Sequence, residues 1–458
     1  MTIPEHIFKS YDIRGIYPDE INEENIVTIV QAVYAFFSQK LNKETITVAL
    51  GLDMRTSSPK LFEAAKNALI DCGAQVIDIG LVSTPTFYFA VSHYGYETGI
   101  QITASHNPKE YNGVKFVINT PTGLIKIGKP TGMEDVKKMA LEGVKVQVPG
   151  GTIVKKEGIV EEEAENALTV FDHPQLKKFK IVADPANAMG ILYIEALFKK
   201  VPAELIKMNF TLDGTFPSHQ PDPLQFSLLA DLQKKVVEEG ADFGLAPDGD
   251  GDRLFFIDEK GEVVPATIIT ALVAREFLKE HPGKTILFDI RNVLTPRKII
   301  EENGGKYEIT KVGHAFITEQ LTKSGGIFAG ESSGHFFYRA TGNAESQVIT
   351  MLAVMKVLTE ENKKLSEIVA ELSRCSESGE INFKVTNAPE ILEAVKQKYA
   401  DGKLSTLDGI AIDYPDWRLS VRTSNTEPLL RLNVEADTKE VMEQKRDELV
   451  SLIDATKK

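Results

Sequence analysis

The feature that most constrains the fold is a pattern that occurs three times. A strand, a helix and a strand are followed by a hairpin of strand, polar loop and strand, with copies roughly 100 residues apart. In the first copy an apolar run over 46–50 ends at Gly51-Leu52-Asp53-Met54-Arg55. Helical spacing over 59–72 and a strand over 75–79 come next. Ser83-Thr84-Pro85-Thr86 then caps a further helix. The hairpin pairs 99–103 with 114–118. The second copy has a strand over 179–183 ending at Asp184, a helix over 191–198, and a hairpin of 243–246 with 254–257. The third has a helix over 268–278, a strand over 285–288 ending at Asp289, and a hairpin of 327–329 with 336–338. Such alternation predicts βαβ units in mostly parallel sheets, hence three similar α/β domains. Each copy carries a different polar loop, and the three loops are expected to converge.

The end of the chain breaks the pattern. Strands are predicted over 381–385, 409–412 and 417–421, and helices over 365–372, 390–398 and 439–453, which gives a smaller α+β domain. Residues 140–165 turn polar, with Val148-Pro149-Gly150-Gly151 and an acidic run from Glu161 to Glu165. The expected domains are therefore 1–150, 151–255, 256–368 and 369–458. A length of 458 residues fits two to four domains and needs no covalent staples.

Composition excludes several classes. Cys72 and Cys375 stand in unrelated contexts and imply no disulfide framework. The first residues lack a basic stretch followed by an apolar run, and no apolar run reaches the ~18 residues of a membrane span. A cytoplasmic protein without membrane contact is expected. The formal charge of −14 argues against a nucleic-acid binder. An anionic substrate must then be met by locally clustered Arg and Lys.

The loops carry the chemistry. In Thr103-Ala104-Ser105-His106-Asn107-Pro108, Ser105 is presented at a strand end, although these residues also suit a plain turn. Asp248, Asp250 and Asp252 alternate with glycines between two apolar strands. Carboxylates crowded so closely repel one another unless a cation sits among them, and hard oxygen ligands suit Mg²⁺ or Ca²⁺. An EF-hand count fits Asp248, Asp250, Asp252 and Glu259, but its sixth position needs Gly and is Arg253, and the flanks are strands. Gly330-Glu331-Ser332-Ser333-Gly334-His335 is a polar tip between strands. Arg422-Thr423-Ser424-Asn425-Thr426-Glu427-Pro428 offers a guanidinium, hydroxyls and an amide, a set suited to a phosphate dianion or to a capped turn.

Five strings together resemble the α-D-phosphohexomutase superfamily, most closely its phosphomannomutase/phosphoglucomutase branch. They are Tyr11-Asp12-Ile13-Arg14-Gly15, the Ser105 loop continuing through Tyr111-Asn112-Gly113-Val114-Lys115, Asp248-Gly249-Asp250-Gly251-Asp252-Arg253, Gly330 to His335, and Arg422 to Pro428. The resemblance spans nearly the whole chain. It implies that Ser105 carries a phosphoryl group and that one Mg²⁺ is held by Asp248, Asp250 and Asp252 together with Ser105. Arg14 would face the phosphoserine, and Lys115 and His314 would move protons. Tyr11, Arg253, Arg291, Glu331, Ser333, His335, Arg422, Ser424, Asn425 and Thr426 would bind a phosphosugar. Ser332 stands where the branch usually has Met. Asn425 stands where phosphoglucosamine mutases carry Gly, which argues against that branch.

The expected function is interconversion of hexose 1- and 6-phosphates of mannose or glucose, with the hexose 1,6-bisphosphate as intermediate and activator, by a monomer or dimer. The competing classes are a phosphoglucosamine mutase, a Mg²⁺-dependent phosphosugar phosphatase and a non-catalytic Ca²⁺-dependent sugar binder. A binder has no use for Ser105 beside Lys115, and a phosphatase has no use for a second phosphate clamp.

Overall fold

The structure, a computed structural model, describes residues 3–423 and 429–457. Its strands form four sheets. The first contains Gln75–Leu81, Thr47–Leu52, Thr98–Ile102 and Tyr111–Thr120 side by side. The second repeats that order with Ala203–Lys207, Phe179–Ala183, Phe243–Pro247 and Leu254–Asp258. The third repeats it again with Lys306–Thr310, Thr285–Asp289, Phe328–Gly330 and Phe336–Tyr338. In every copy three strands run parallel and the fourth turns back antiparallel, so the sequence repeat is a repeat in space.

The third strand of each copy is buried along its whole length: Thr98–Ile102, Phe243–Pro247 and Phe328–Gly330. Helices cover both faces of such a strand, which therefore reads as a continuous run rather than an alternating one. Each polar loop leaves its carboxyl end, the place where open α/β sheets bind ligands. The fourth sheet is antiparallel, in the order Ser376–Glu377, Leu429–Ala436, Trp417–Thr423, Ile410–Asp413 and Lys403–Ser405, with Ile381–Lys384 also on Leu429–Ala436. Trp417, Leu419 and Val421 alternate along one strand and pack with Ile391, Leu449 and Ile453 of the helices Ala388–Lys398 and Lys439–Thr456.

Hydrophobic residues of the second and third domains merge into one core, whereas the first and fourth have cores of their own. The helix Gln347–Glu360, apolar nearly all round and buried nearly all round, joins the middle pair. Two details lie outside the apolar patterning. Thr152–Lys155, with all four residues exposed, adds a parallel edge strand to the first sheet beyond residue 150. Backbone pairing alone makes that strand, so no side-chain alternation announces it. The second sheet likewise runs past residue 255, through Asp258 to Val263–Val264. No helix among the described residues is long and apolar enough to cross a membrane.

Candidate active site

The Ser105 loop is strained and tightly braced. Ser105 has φ +53°, left-handed for a residue with a Cβ, and is almost wholly buried. Arg55, with no exposed surface, donates to four carbonyls around it: Nη2 to Ser105 at 2.8 Å and Asn107 at 2.6 Å, Nη1 to Pro108 at 2.7 Å and Tyr111 at 2.9 Å. One planar guanidinium thus satisfies the carbonyls that a tight loop cannot pair internally. Arg14, from the strand Ile13–Ile16, donates Nη1 to Asn107 Oδ1 at 2.5 Å and to the Ala104 carbonyl at 3.3 Å. Its Nε is held by Asp12 at 2.7 Å. His106 Nδ1 lies 3.3 Å from Ser105 Oγ. Burial, then Arg253 and Arg14, push that imidazole well below its usual range and keep it neutral.

The aspartate loop abuts the serine loop. Ser105 Oγ donates to Asp248 Oδ2 at 3.2 Å. A Cβ built on Gly249 would stand 2.3 Å from the Ser105 carbonyl oxygen, so only glycine permits this approach. Asp248, Asp250 and Asp252 are all buried, with ligand oxygens within 4.8 Å of one another. Burial, followed by Asp252 and Asp250, pushes the Asp248 carboxyl up to about 8. Asp250 Oδ1 has no hydrogen-bond partner among the described residues. A buried, crowded trio of hard oxygens with one oxygen left over fits a divalent cation.

Lys115 Nζ lies 2.6 Å from both Asp250 Oδ2 and Asp252 Oδ2. Burial opposes its charge, but the two carboxylates outweigh it and hold the ammonium well above the usual lysine range. Lys115 is accordingly held as a cation by the carboxylate trio. Arg253 is offset from the trio. Its Nη1 is 3.6 Å from Asp222, and its buried Nε and Nη1 have no hydrogen-bond partner among the described residues.

The third loop joins the same cluster through His335. Its Nε2 is 3.1 Å from Asp252 Oδ1, and its Nδ1 is 2.8 Å from Glu331 Oε2 and 3.0 Å from Ser333 Oγ. Burial works against the imidazolium, yet Asp252 and Glu331 prevail and raise it to about 9. Glu331 Oε1 accepts from the Gly313 amide at 3.0 Å and meets Arg291 Nη2 at 3.2 Å. Arg291 also pairs with Asp289 at 3.0 Å. His314 opens the helix His314–Ser324. Burial, then Lys126 and Lys115, push it well below its usual range, and its Nδ1 has no hydrogen-bond partner among the described residues. The Tyr11 hydroxyl donates to the Val312 carbonyl at 3.0 Å, and its ring lies 5.1 Å from that of His314.

Arg422 projects from Trp417–Thr423 in the fourth domain, almost wholly buried, and pairs with Glu380 at 3.0 Å. The expected partners Ser424, Asn425 and Thr426 lie outside the described residues.

Sequence reasoning missed three participants. Arg55 fixes the Ser105 carbonyl; its signal is the Asp-x-Arg string after the strand, shared by Asp53-Met54-Arg55 and Asp289-Ile290-Arg291. His106 has its place beside Ser105 in the motif as its only signal. Lys126 pairs with Glu345 across the first and third domains, against the rings of Tyr88 and Phe337, and its charge helps to keep His314 neutral. No local pattern marks Lys126.

Three repeated α/β domains and a fourth α+β domain bring a buried serine, a carboxylate trio and a clustered set of cations into one contiguous cluster. This arrangement defines a multidomain phosphotransferase. The chain belongs to the phosphoglucomutase/phosphomannomutase family and is an isomerase of the phosphotransferase type. The family's α/β/α domains I, II and III match residues 5–128, 161–261 and 266–375, and its C-terminal domain matches 380–452. It is 36% identical to a phosphomannomutase of Vibrio cholerae over 97% of this chain and 98% of that one. It is 36% identical to a phosphomannomutase of Methanocaldococcus jannaschii over 98% and 97%. A solved phosphoglucomutase/phosphomannomutase family protein from Burkholderia thailandensis superposes with a TM-score of 0.88 at 27% identity, covering 99% of this chain and 98% of that chain.

Proposed function

We propose that the chain interconverts the 1- and 6-phosphates of mannose, glucose or both, through a phosphoryl group carried on Ser105 and a captive hexose 1,6-bisphosphate. The observation that carries this reading is the 3.2 Å contact between Ser105 Oγ and Asp248 Oδ2, at the edge of the carboxylate trio. A free serine hydroxyl is a weak nucleophile, whereas a serine phosphoester is a ready donor. One Mg²⁺ held by Asp248, Asp250, Asp252 and Ser105 would supply positive charge against the transferring phosphoryl group.

Each half-reaction breaks the Ser105 Oγ–P bond and forms a bond from phosphorus to a sugar oxygen, or the reverse. The sugar hydroxyl gives up its proton and the serine oxygen regains one. Neutral His314, with its unpartnered Nδ1, suits the base, and Lys115, placed against the carboxylate trio, would be its partner in moving the protons. Arg14 and neutral His106 flank Ser105, and Glu331, Ser333 and His335 suit the sugar hydroxyls. Arg253 has N–H groups to spare for an anion, and Arg291 adds a cation at the sugar loop. Tyr11 supports His314 from behind. Arg422, with Ser424, Asn425 and Thr426, would take the phosphate at the far end of the sugar. The free Cys72 and Cys375 accord with the cytoplasmic place expected of a monomer or dimer.

The test is turnover of mannose 1-phosphate, glucose 1-phosphate and glucosamine 1-phosphate by the wild type and by Ser105→Ala. The reading expects the first two sugars to be used and Ser105→Ala to be silent. Full turnover by Ser105→Ala, or activity with the amino sugar alone, would sink it.

A further inference from the structure

Glu380 follows Gly379 on the segment that links the third and fourth domains, just before the strand Ile381–Lys384. Its side chain reaches guanidiniums from both domains. Oε2 is 3.0 Å from Arg422 Nη2, Oε1 is 2.9 Å from Arg431 Nη1, and Oε2 is 4.0 Å from Arg291 Nη1. Arg422 and Arg431 are direct cross-strand partners on Trp417–Thr423 and Leu429–Ala436. Partners opposite one another in an antiparallel pair point to the same face, so both guanidiniums are presented to one anion. Arg291 does not depend on Glu380, because Asp289 and Glu331 meet it at 3.0 and 3.2 Å.

Two guanidiniums spaced to hold both oxygens of one carboxylate are also spaced to hold two oxygens of a phosphate monoester. Glu380 has a side chain 24% exposed and can swing toward solvent, unlike the nearly buried Asp289 and Glu331. A monoanion that replaced it would exchange like for like. A phosphate dianion brings one more charge and one more acceptor oxygen.

We propose that Glu380 competes with the substrate's phosphate for Arg422 and Arg431. Glu380 thereby selects dianionic phosphosugars over singly charged sugar acids. This inference rests on the reading that Arg422 takes the far phosphate. The experiment is titration calorimetry with glucose 6-phosphate and with glucuronate, on the wild type and on Glu380→Gln, Arg431→Gln and Arg422→Gln. Loss of one charge-assisted bond predicts about tenfold weaker glucose 6-phosphate binding by Arg431→Gln, and removal of the competitor about tenfold tighter binding by Glu380→Gln. Glu380→Gln should also narrow the preference over glucuronate. Unchanged or weaker binding by Glu380→Gln, or unchanged binding by Arg431→Gln, would overturn the inference. If Glu380→Gln does not fold, Arg431→Gln decides alone. Unchanged binding by Arg422→Gln would instead refute the phosphate reading beneath it.

Discussion

Replacing Gly249 by alanine probes the junction on which the active-site geometry depends. The added methyl would sit 2.3 Å from the Ser105 carbonyl oxygen, whereas ordinary contact begins near 3.4 Å, so the loops must part by about 1 Å. Little else can yield, because Arg55 already pins that carbonyl at 2.8 Å. Overpacking of this kind costs about 1–3 kcal/mol of stability. A misplacement of about 1 Å between donor and acceptor groups costs on the order of 100-fold in rate. The assay is kcat in a coupled mutase reaction, with thermal melting beside it. The expected result is a rate down about 100-fold with the melting midpoint lowered by only a few degrees. A variant of wild-type rate would show that the serine and aspartate loops need not abut. A variant that unfolds outright would show that the glycine serves folding alone.

Three more outcomes follow from particular groups. Glu163 on the helix Ile159–Val170 is pushed up to about 7 by burial, against a hydrogen bond from Thr86 Oγ1 at 2.5 Å. Its folded value lies above the ordinary 4.5, so the stability it allows is complete below that pH and is lost as pH rises through about 7. The loss is roughly 3 kcal/mol at 1.36 kcal/mol per pH unit, and Glu163→Gln should flatten the difference in chemical denaturation between pH 5 and pH 8; an unaltered slope would refute this. Arg55→Met should destabilise by about 3–5 kcal/mol, because it strands the buried Asp53, and should lower kcat even at temperatures where the variant is folded; wild-type kcat in the folded variant would count against the brace. Chelation should silence the enzyme and added Mg²⁺ should restore it, with Asp250→Asn needing far more Mg²⁺ than wild type; activity indifferent to chelator would remove the metal from the account.

Much of this was legible in the sequence because each functional loop is local. Ser105, the Asp248 trio and Glu331 to His335 lie on short strings between two strands, and the threefold alternation of strands and helices set those loops in equivalent places. What sequence did not disclose is long-range reach. Arg55 supports a loop some 50 positions away, and Lys126 meets Glu345 across 219 positions. Their charges look like any surface charge until the fold buries them. Tyr11 belongs to a motif, but only the fold shows that its hydroxyl reaches the Val312 carbonyl, 301 positions away. The strand Thr152–Lys155 left no trace in the pattern, because none of its side chains is buried.

The central claim is that a phosphoryl group passes between Ser105 and the sugar. The most direct measurement is label transfer from hexose 1,6-bisphosphate carrying radioactive phosphorus, followed by peptide mapping of the quenched chain. The account predicts one label per chain on the peptide containing Ser105, discharged by added glucose 1-phosphate at a rate no slower than turnover. Label on another residue, or label that outlasts many turnovers, would contradict it.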